Sequence, residues 1–262
     1  MTETGKQALS KVPAVTLGFW IIKILATTLG ETGGDTVSMT MDLGYLVGTA
    51  IFLTILVLLM LWQIRADRFH PFLYWATIIA STTAGTTMAD FATRSIGIGY
   101  TGGSALLLAC VLASLGGWYW SLGSISVDSV RTAKAEWFYW ITITFSQTLG
   151  TALGDWAADT GGLGFGGGAL AFAAALVVLA GLYFLTSVNR VFLFWCAFIL
   201  TRPLGATVGD FLARFDGDVS GIAINWIVFG SGGQQAYRPL PVMIMSMLFL
   251  LQINWRPPGH EV

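Results

Sequence analysis

Charge is scarce in this sequence. Only 10% of its 262 residues are Asp, Glu, Lys or Arg, against about 25% in an ordinary soluble domain. So few charges could not cover a water-exposed surface. The balance is nearly even, with a formal net charge of −1, which removes the basic footprint expected of a nucleic-acid binder. Histidine is limited to His70, at a turn, and His260, in the tail. Zinc, copper and haem sites therefore lack their commonest ligand within the apolar segments. Cysteine is limited to Cys110 and Cys196, both in apolar stretches, so neither a disulfide framework nor a soft-metal cluster is implied. No hydroxyl or thiol has a histidine within reach on a helix face, so a nucleophile with its base is not visible. Met1 to Lys11 is polar and has no signal-peptide form, so the first apolar stretch is expected to be a retained span.

What is abundant is long apolar runs, including Leu46–Trp62, Ser104–Leu115 and Ala169–Leu185. Such runs are expected of membrane helices. They recur with a motif. The aromatic pairs Phe19-Trp20, Tyr74-Trp75, Tyr139-Trp140 and Phe194-Trp195 are each followed, ten residues after the Trp, by Gly30, Gly85, Gly150 and Gly205. Five residues further come Asp35, Asp90, Asp155 and Asp210, each after a small residue. Nine residues beyond the first three aspartates stand Gly44-Tyr45, Gly99-Tyr100 and Gly164-Phe165. Four ungapped copies from Trp to Asp mark an internal repeat.

Each unit fits two spans, a motif helix and a plainer apolar one. The expected spans are 14–34, 44–64, 71–93, 103–122, 136–158, 166–187, 190–213 and 237–254, within repeats of about 14–65, 69–123, 134–188 and 189–255. The fold expected is a single all-α membrane domain over 1–262. It has about eight transmembrane helices from four parallel two-helix repeats, pseudo-symmetric about an axis along the membrane normal. Lys6, Lys11, Arg65, Arg68, Arg131, Lys134, Arg190 and Arg256 fall on one side of these spans and Arg94, Arg214 and Arg238 on the other, so both termini are expected to face the cytoplasm. The four aspartates then lie towards the opposite face. The loop from Asp216 to Tyr237 departs from the pattern, and Gly161–Gly168 reads as a flexible turn.

The segments Lys23–Asp35, Tyr74–Asp90 and Tyr139–Asp155 resemble a family of bacterial inner-membrane proteins built from a multiply occurring repeat of unknown function. The likeness covers nearly all of the chain before Asp216. It implies the repeat architecture and a bacterial inner membrane, but no activity. Glu31-Thr32-Gly33-Gly34-Asp35 is also similar to the Glu-x-Gly-Asp motif of manganese and calcium exporters, with one residue more and in one copy.

On a helix, residues four and seven before the aspartate share its face. Thr28 and Glu31 precede Asp35 in this way, Thr83 and Thr86 precede Asp90, and Thr148 and Thr151 precede Asp155. Lipid penalises such stripes, so they should face protein or a water-filled cavity. Two readings compete. The small-xxx-small pairs, such as Gly30 with Gly34, can serve only close helix packing, with threonine as glue and the aspartates as caps. Alternatively Asp35, Asp90, Asp155, Asp210 and Glu31, with Thr28, Thr83 and Thr148, line an ion or solute site. Hard oxygen donors suit a divalent metal ion, sodium or a proton, and the four aspartates are its metal-ligand candidates.

Arg202 stands where the other units have Thr27, Thr82 and Gln147. An uncompensated arginine at that depth costs about 2.5–3.5 kcal/mol on insertion scales, so it needs a partner, with Glu31 first and Asp155 or Asp210 next. Lys23 either pairs with a carboxylate or snorkels to the cytoplasmic headgroups, and its place near that end of the span favours the second. Trp20, Trp75, Trp140 and Trp195 form a belt, a packing layer or a gate. The function expected is a transporter or channel for a small ion, foremost a divalent cation of the Mn or Mg kind, with efflux as one direction, or a proton-coupled solute. The alternative is a scaffold or accessory subunit. The partners expected are the lipid bilayer and a small ion or solute, with no resident cofactor and no nucleic acid; a homo-oligomer is compatible with the sequence.

Overall fold

The computed structural model describes residues 11–215, with side chains as far as residue 212. The described residues are all-helical. They form α1 (Leu17–Asp35), α2 (Gly44–Arg65), α3 (Pro71–Asp90), α4 (Gly99–Leu122), α5 (Ala133–Asp155), α6 (Gly164–Leu185) and α7 (Arg190–Phe215), with a single 3₁₀ turn at Val127–Ser129. The span expected at 237–254 and the loop from Asp216 to Tyr237 lie outside the described residues.

Local chemistry sets the helix ends. The Phe19 N–H donates to Thr16 Oγ1 at the start of α1, and the Ala135 N–H donates to Thr132 Oγ1 at the start of α5, each satisfying an otherwise orphaned donor. Pro71 opens α3, where its missing N–H costs nothing. Gly44, Gly99 and Gly164 each begin an outer helix with φ between 63° and 75°. That left-handed conformation favours glycine, which accounts for the glycine nine residues after each of the first three aspartates. Gly164–Gly168 is thus the first turn of α6, and only Gly161–Leu163 forms the turn before it.

α1, α3 and α5 do not stop at their aspartates. Each continues into a five-residue π-helical turn, Thr36–Thr40, Phe91–Ser95 and Trp156–Thr160. The aspartate side chains make no capping hydrogen bond there, so the capping role is not seen. π turns are rare and often accompany functional sites.

The four motif helices form a closed ring: α1 packs on α3, α3 on α5, α5 on α7, and α7 returns to α1. Glycine makes this closeness possible. A Cβ on Gly30 would collide with Thr82, on Gly85 with the Gln147–Thr148 backbone, on Gly150 with Arg202, and on Gly205 with Thr27. The glycine of each unit therefore receives the residue seven after the Trp of the next, and the fourth unit returns to the first. Gly34 likewise faces Thr86. The contacts at Gly30 and Gly34 keep one offset, so the paired helices run in the same direction.

The outer helices α2, α4 and α6 sit against α3, α5 and α7. Gly48 abuts Thr87 and Gly168 abuts Thr207, bringing the backbones close. Their outward faces are apolar along their length, with Leu58, Leu112, Trp120, Leu170 and Phe184 exposed. Hydrocarbon stabilises such a surface; water does not. Among the described residues, four helices are long and apolar enough to cross a membrane: Gly44–Arg65, Gly99–Leu122, Gly164–Leu185 and Arg190–Leu212.

At the end of the ring nearest the helix starts, aromatic rings interlock in the same cyclic order. Phe19 packs on Trp75, Tyr74 on Trp140, Tyr139 on Trp195 and Phe194 on Trp20, with centroids 5.6, 5.6, 6.3 and 5.7 Å apart. Tyr74 and Tyr139 share a 2.6 Å hydroxyl–hydroxyl hydrogen bond within it. The four tryptophans form a packing layer, three of them buried, rather than a belt around the outside.

If the glycine seams hold the ring, Gly30→Ala and Gly205→Ala should each destabilise the protein in detergent by about 1–3 kcal/mol, the usual range for overpacking. Gly116→Ala, with nothing within 4 Å of the new methyl, should leave the unfolding temperature unchanged or raise it. Equal unfolding temperatures for all three variants would remove the seams from the account.

Candidate functional site

Above the aromatic layer the ring interior becomes polar. Lys23 of α1 is fully buried. Its Nζ donates to the Phe198 carbonyl at 3.1 Å and to Thr201 Oγ1 at 2.7 Å, and it lies 3.8 Å from the centre of the Phe198 ring. The expected snorkelling does not occur: the side chain turns into the bundle, where a carbonyl, a hydroxyl and a ring face replace water. Nearby, Gln147 is buried with neither side-chain polar atom hydrogen-bonded among the described residues.

One turn further lies the central ion pair. Arg202 Nη2 is 2.7 Å from Glu31 Oε2, and both side chains are almost wholly buried. Nη2 also donates to Thr86 Oγ1 at 2.6 Å and Thr151 Oγ1 at 2.7 Å. The Thr86 and Thr151 hydroxyls are 3.1 Å from the same carboxylate oxygen. Nη1 donates to the Thr27 carbonyl at 3.4 Å. Arg202 therefore has Glu31 as its partner, the first of the three considered. Glu31, Thr86 and Thr151 are equivalent in the repeat, four residues before the aspartate. The fourth unit has Ala206 there, which leaves the space the guanidinium enters. One group from each motif helix thus meets at the axis.

Thr28, Thr83 and Thr148 are also buried, but in the seams between helices. Their hydroxyls donate to Ile24, Ile79 and Thr144 carbonyls of their own helices at 3.1, 2.9 and 2.9 Å. The hydroxyls on the axis belong to Thr86 and Thr151.

The aspartates form the last layer, and they divide. Asp90 and Asp155 are buried and share Arg94, which belongs to the π turn after α3. Arg94 Nε is 3.0 Å from Asp90 Oδ1, and Nη2 is 3.2 Å from Asp155 Oδ2. Asp35 and Asp210 are partly exposed and lie on the other side with Glu31. One carboxylate oxygen from each of Glu31, Asp35 and Asp210 falls within 4.8 Å of the others. Oxygens this close suit a hard cation that draws its remaining ligands from water. Asp35 Oδ1 is buried without a hydrogen-bond partner among the described residues.

Sequence reasoning put Arg94 on the aspartate side but gave it no place in the site. The signal was present in its spacing, since residues four apart share a helix face, and Arg94 stands four after Asp90. The equivalent positions hold Met39, Asp159 and Arg214, so a charge difference between repeats marked it as it marked Arg202.

A family model described as "Repeat of Unknown Function (DUF347)" matches the chain four times, at residues 18–69, 73–124, 138–189 and 193–231. No curated protein and no solved structure matches it.

Because Arg202 and Glu31 compensate each other in a buried place, Arg202→Met or Glu31→Gln alone should cost about 3–5 kcal/mol. The double variant should recover much of that loss. Thermal unfolding of the four proteins in detergent measures the coupling. Additive losses would mean the pair is not the joint.

Proposed function

We propose that this chain, a member of that repeat family, is a membrane transporter or channel for a small cation, foremost a divalent metal ion as its cargo. The observation that carries this reading is the Glu31, Asp35 and Asp210 cluster, three hard oxygen donors from α1 and α7 at the partly exposed end of a polar axis. Ionisable groups inside a membrane protein are costly and tend to be kept for ions or protons. The charge of Glu31 also ties helices through Arg202, but the seams pack with neutral hydroxyls and glycine, and Asp35 and Asp210 add two further carboxylates beside Glu31.

The same reading completes the architecture. α1, α3 and α5, with 19, 20 and 23 residues, are about 29–35 Å long at 1.5 Å per residue, enough to cross a bilayer. They are polar, but the ring turns their polar faces to each other. With the segment 237–254 the chain would have eight spans in four parallel pairs, pseudo-symmetric about an axis along the membrane normal. The positive residues put both termini in the cytoplasm, and the family resemblance suggests a bacterial inner membrane. The carboxylate end then opens to the extracytoplasmic side, and the aromatic layer closes the cytoplasmic side.

The scaffold reading differs in one measurable way. A cation that binds only the folded protein raises its stability, by about 2.7 kcal/mol at a hundred times its dissociation constant. Thermal unfolding across Mn²⁺, Mg²⁺, Ca²⁺, Na⁺ and H⁺ should reveal such a cation. Asp35→Asn and Asp210→Asn should abolish both the shift and the flux of that ion into proteoliposomes, while the proteins remain folded. Unchanged flux in these variants would sink the site, and the absence of any ion-dependent shift would favour a scaffold.

A further inference from the structure

The Asp90–Asp155 half of the carboxylate layer holds a cation that belongs to the chain. Arg94 bridges the two aspartates through Nε and Nη2. Its Nη1 donates to Tyr45 Oη at 3.2 Å, and its guanidinium carbon lies 5.9 Å from the ring centres of both Tyr45 and Tyr100. These tyrosines follow the glycines that start α2 and α4, so the Gly-Tyr of the first and second repeats flanks the same guanidinium. The ring faces suit a guanidinium, whereas the two carboxylates and the phenol oxygen are hard donors that a divalent metal ion would also take. The bridge leaves part of that capacity unused: Asp90 is 1% exposed, yet its Oδ2 is buried without a hydrogen-bond partner among the described residues. The Arg94 side chain is 34% exposed, so it sits where solvent can replace it.

We propose that Arg94 is a tethered cation that keeps the Asp90–Asp155 pair from binding a second metal ion and leaves when a divalent ion at high concentration competes for that pair. The inference rests on the cation-transport reading for its physiological sense, but its test does not depend on the Glu31, Asp35 and Asp210 cluster. The guanidinium donates a hydrogen bond to Asp155 and meets Asp90 through charge alone, so the Asp90 carboxylate has neither oxygen hydrogen-bonded among the described residues. Removing it leaves two buried anions side by side, which a divalent ion would neutralise.

The test counts ions. Equilibrium dialysis of the purified full chain against Mn²⁺ gives the number bound by the wild type, Arg94→Gln, Arg94→Ala and Arg94→Lys. At Mn²⁺ concentrations below those that speed Arg94 modification in the wild type, the expected result is one more ion in the Gln and Ala variants than in the wild type, and the wild-type number in the Lys variant, which keeps the charge. Guanidinium chloride, well below denaturing concentrations, should displace the additional ion from Arg94→Ala and none from the wild type. Should the variants fail to fold, the wild type supplies a second measurement. Phenylglyoxal should modify Arg94 faster as Mn²⁺ rises, as followed by mass spectrometry. Equal ion numbers in all folded proteins, or an Arg94 modification rate indifferent to Mn²⁺, overturns the inference. A wild type that binds no ion beside an Arg94→Gln protein that binds one would sink the Glu31, Asp35 and Asp210 site and leave the tethered cation standing.

Discussion

A guanidinium and a carboxylate held 2.7 Å apart, with no more than 3% of either side chain exposed, join the four helices of the ring. Desolvating two charges costs several kcal/mol per ion, and their attraction offsets this only when other hydrogen bonds complete the site. Thr86 and Thr151 complete it. Each lies close to both charges, and each comes from a different helix. The pair therefore ties α1 to α7 directly and draws in α3 and α5. It requires two coordinated departures from the repeat: an arginine where the other units have Thr or Gln, and an alanine where they have Glu or Thr. Either alone would leave a clash or an unpaired charge.

The repeat and its exceptions divide the labour. Glycine recurs in all four units because every seam needs the same close approach. The residues that differ between units face the interior, where four equal side chains would compete for one axis. Equal arginines would repel, and equal threonines could not fix a polarity. With Lys23, Glu31 and Arg202 each present in one unit at its position in the ring, and Arg94 standing where the first and third units have Met39 and Asp159, the interior acquires sides. One half of the aspartate layer meets Arg94, and the other meets Glu31. A ring of similar helices thus holds two dissimilar carboxylate sites.

Much of this was legible in the sequence because it follows from spacing. The Trp-to-Asp repeat located the motif helices, and the lone arginine at Arg202 pointed to Glu31. The aromatic layer was legible as a choice between a belt, a packing layer and a gate; only packing between helices decides that. Which threonine faces the axis was not legible. Positions four and seven before the aspartate lie roughly 60° apart round an α-helix. That is enough to put Thr86 at the axis and Thr83 in a seam, and the helix crossing sets which is which. The burial of Lys23 was not legible because its depth in the span lets a long side chain reach the headgroups, while the Phe198 carbonyl, Thr201 and the Phe198 ring, which only the fold brings together, supply a substitute for water. The π turns left no trace in hydrophobic spacing, and with them the bridge that Arg94 makes between two aspartates was not legible.

The two ends of the axis differ in a way that bears on movement. At the aspartate end, Asp35, Asp210 and Arg94 are within reach of solvent. At the other end a cation would meet Lys23, a fixed positive charge when protonated, and then the interlocked rings. The glycine seams leave no room for the helices to slide, since even one methyl group would collide with its neighbour. Opening the closed end is therefore easier through side chains than through the ring. An aromatic pair contributes only about 0.5–1.5 kcal/mol beyond its buried area, so rotating one or two rings costs far less than separating two seams. Any path through the closed end has its barrier at Lys23 and the rings, while the ring of helices stays shut around it.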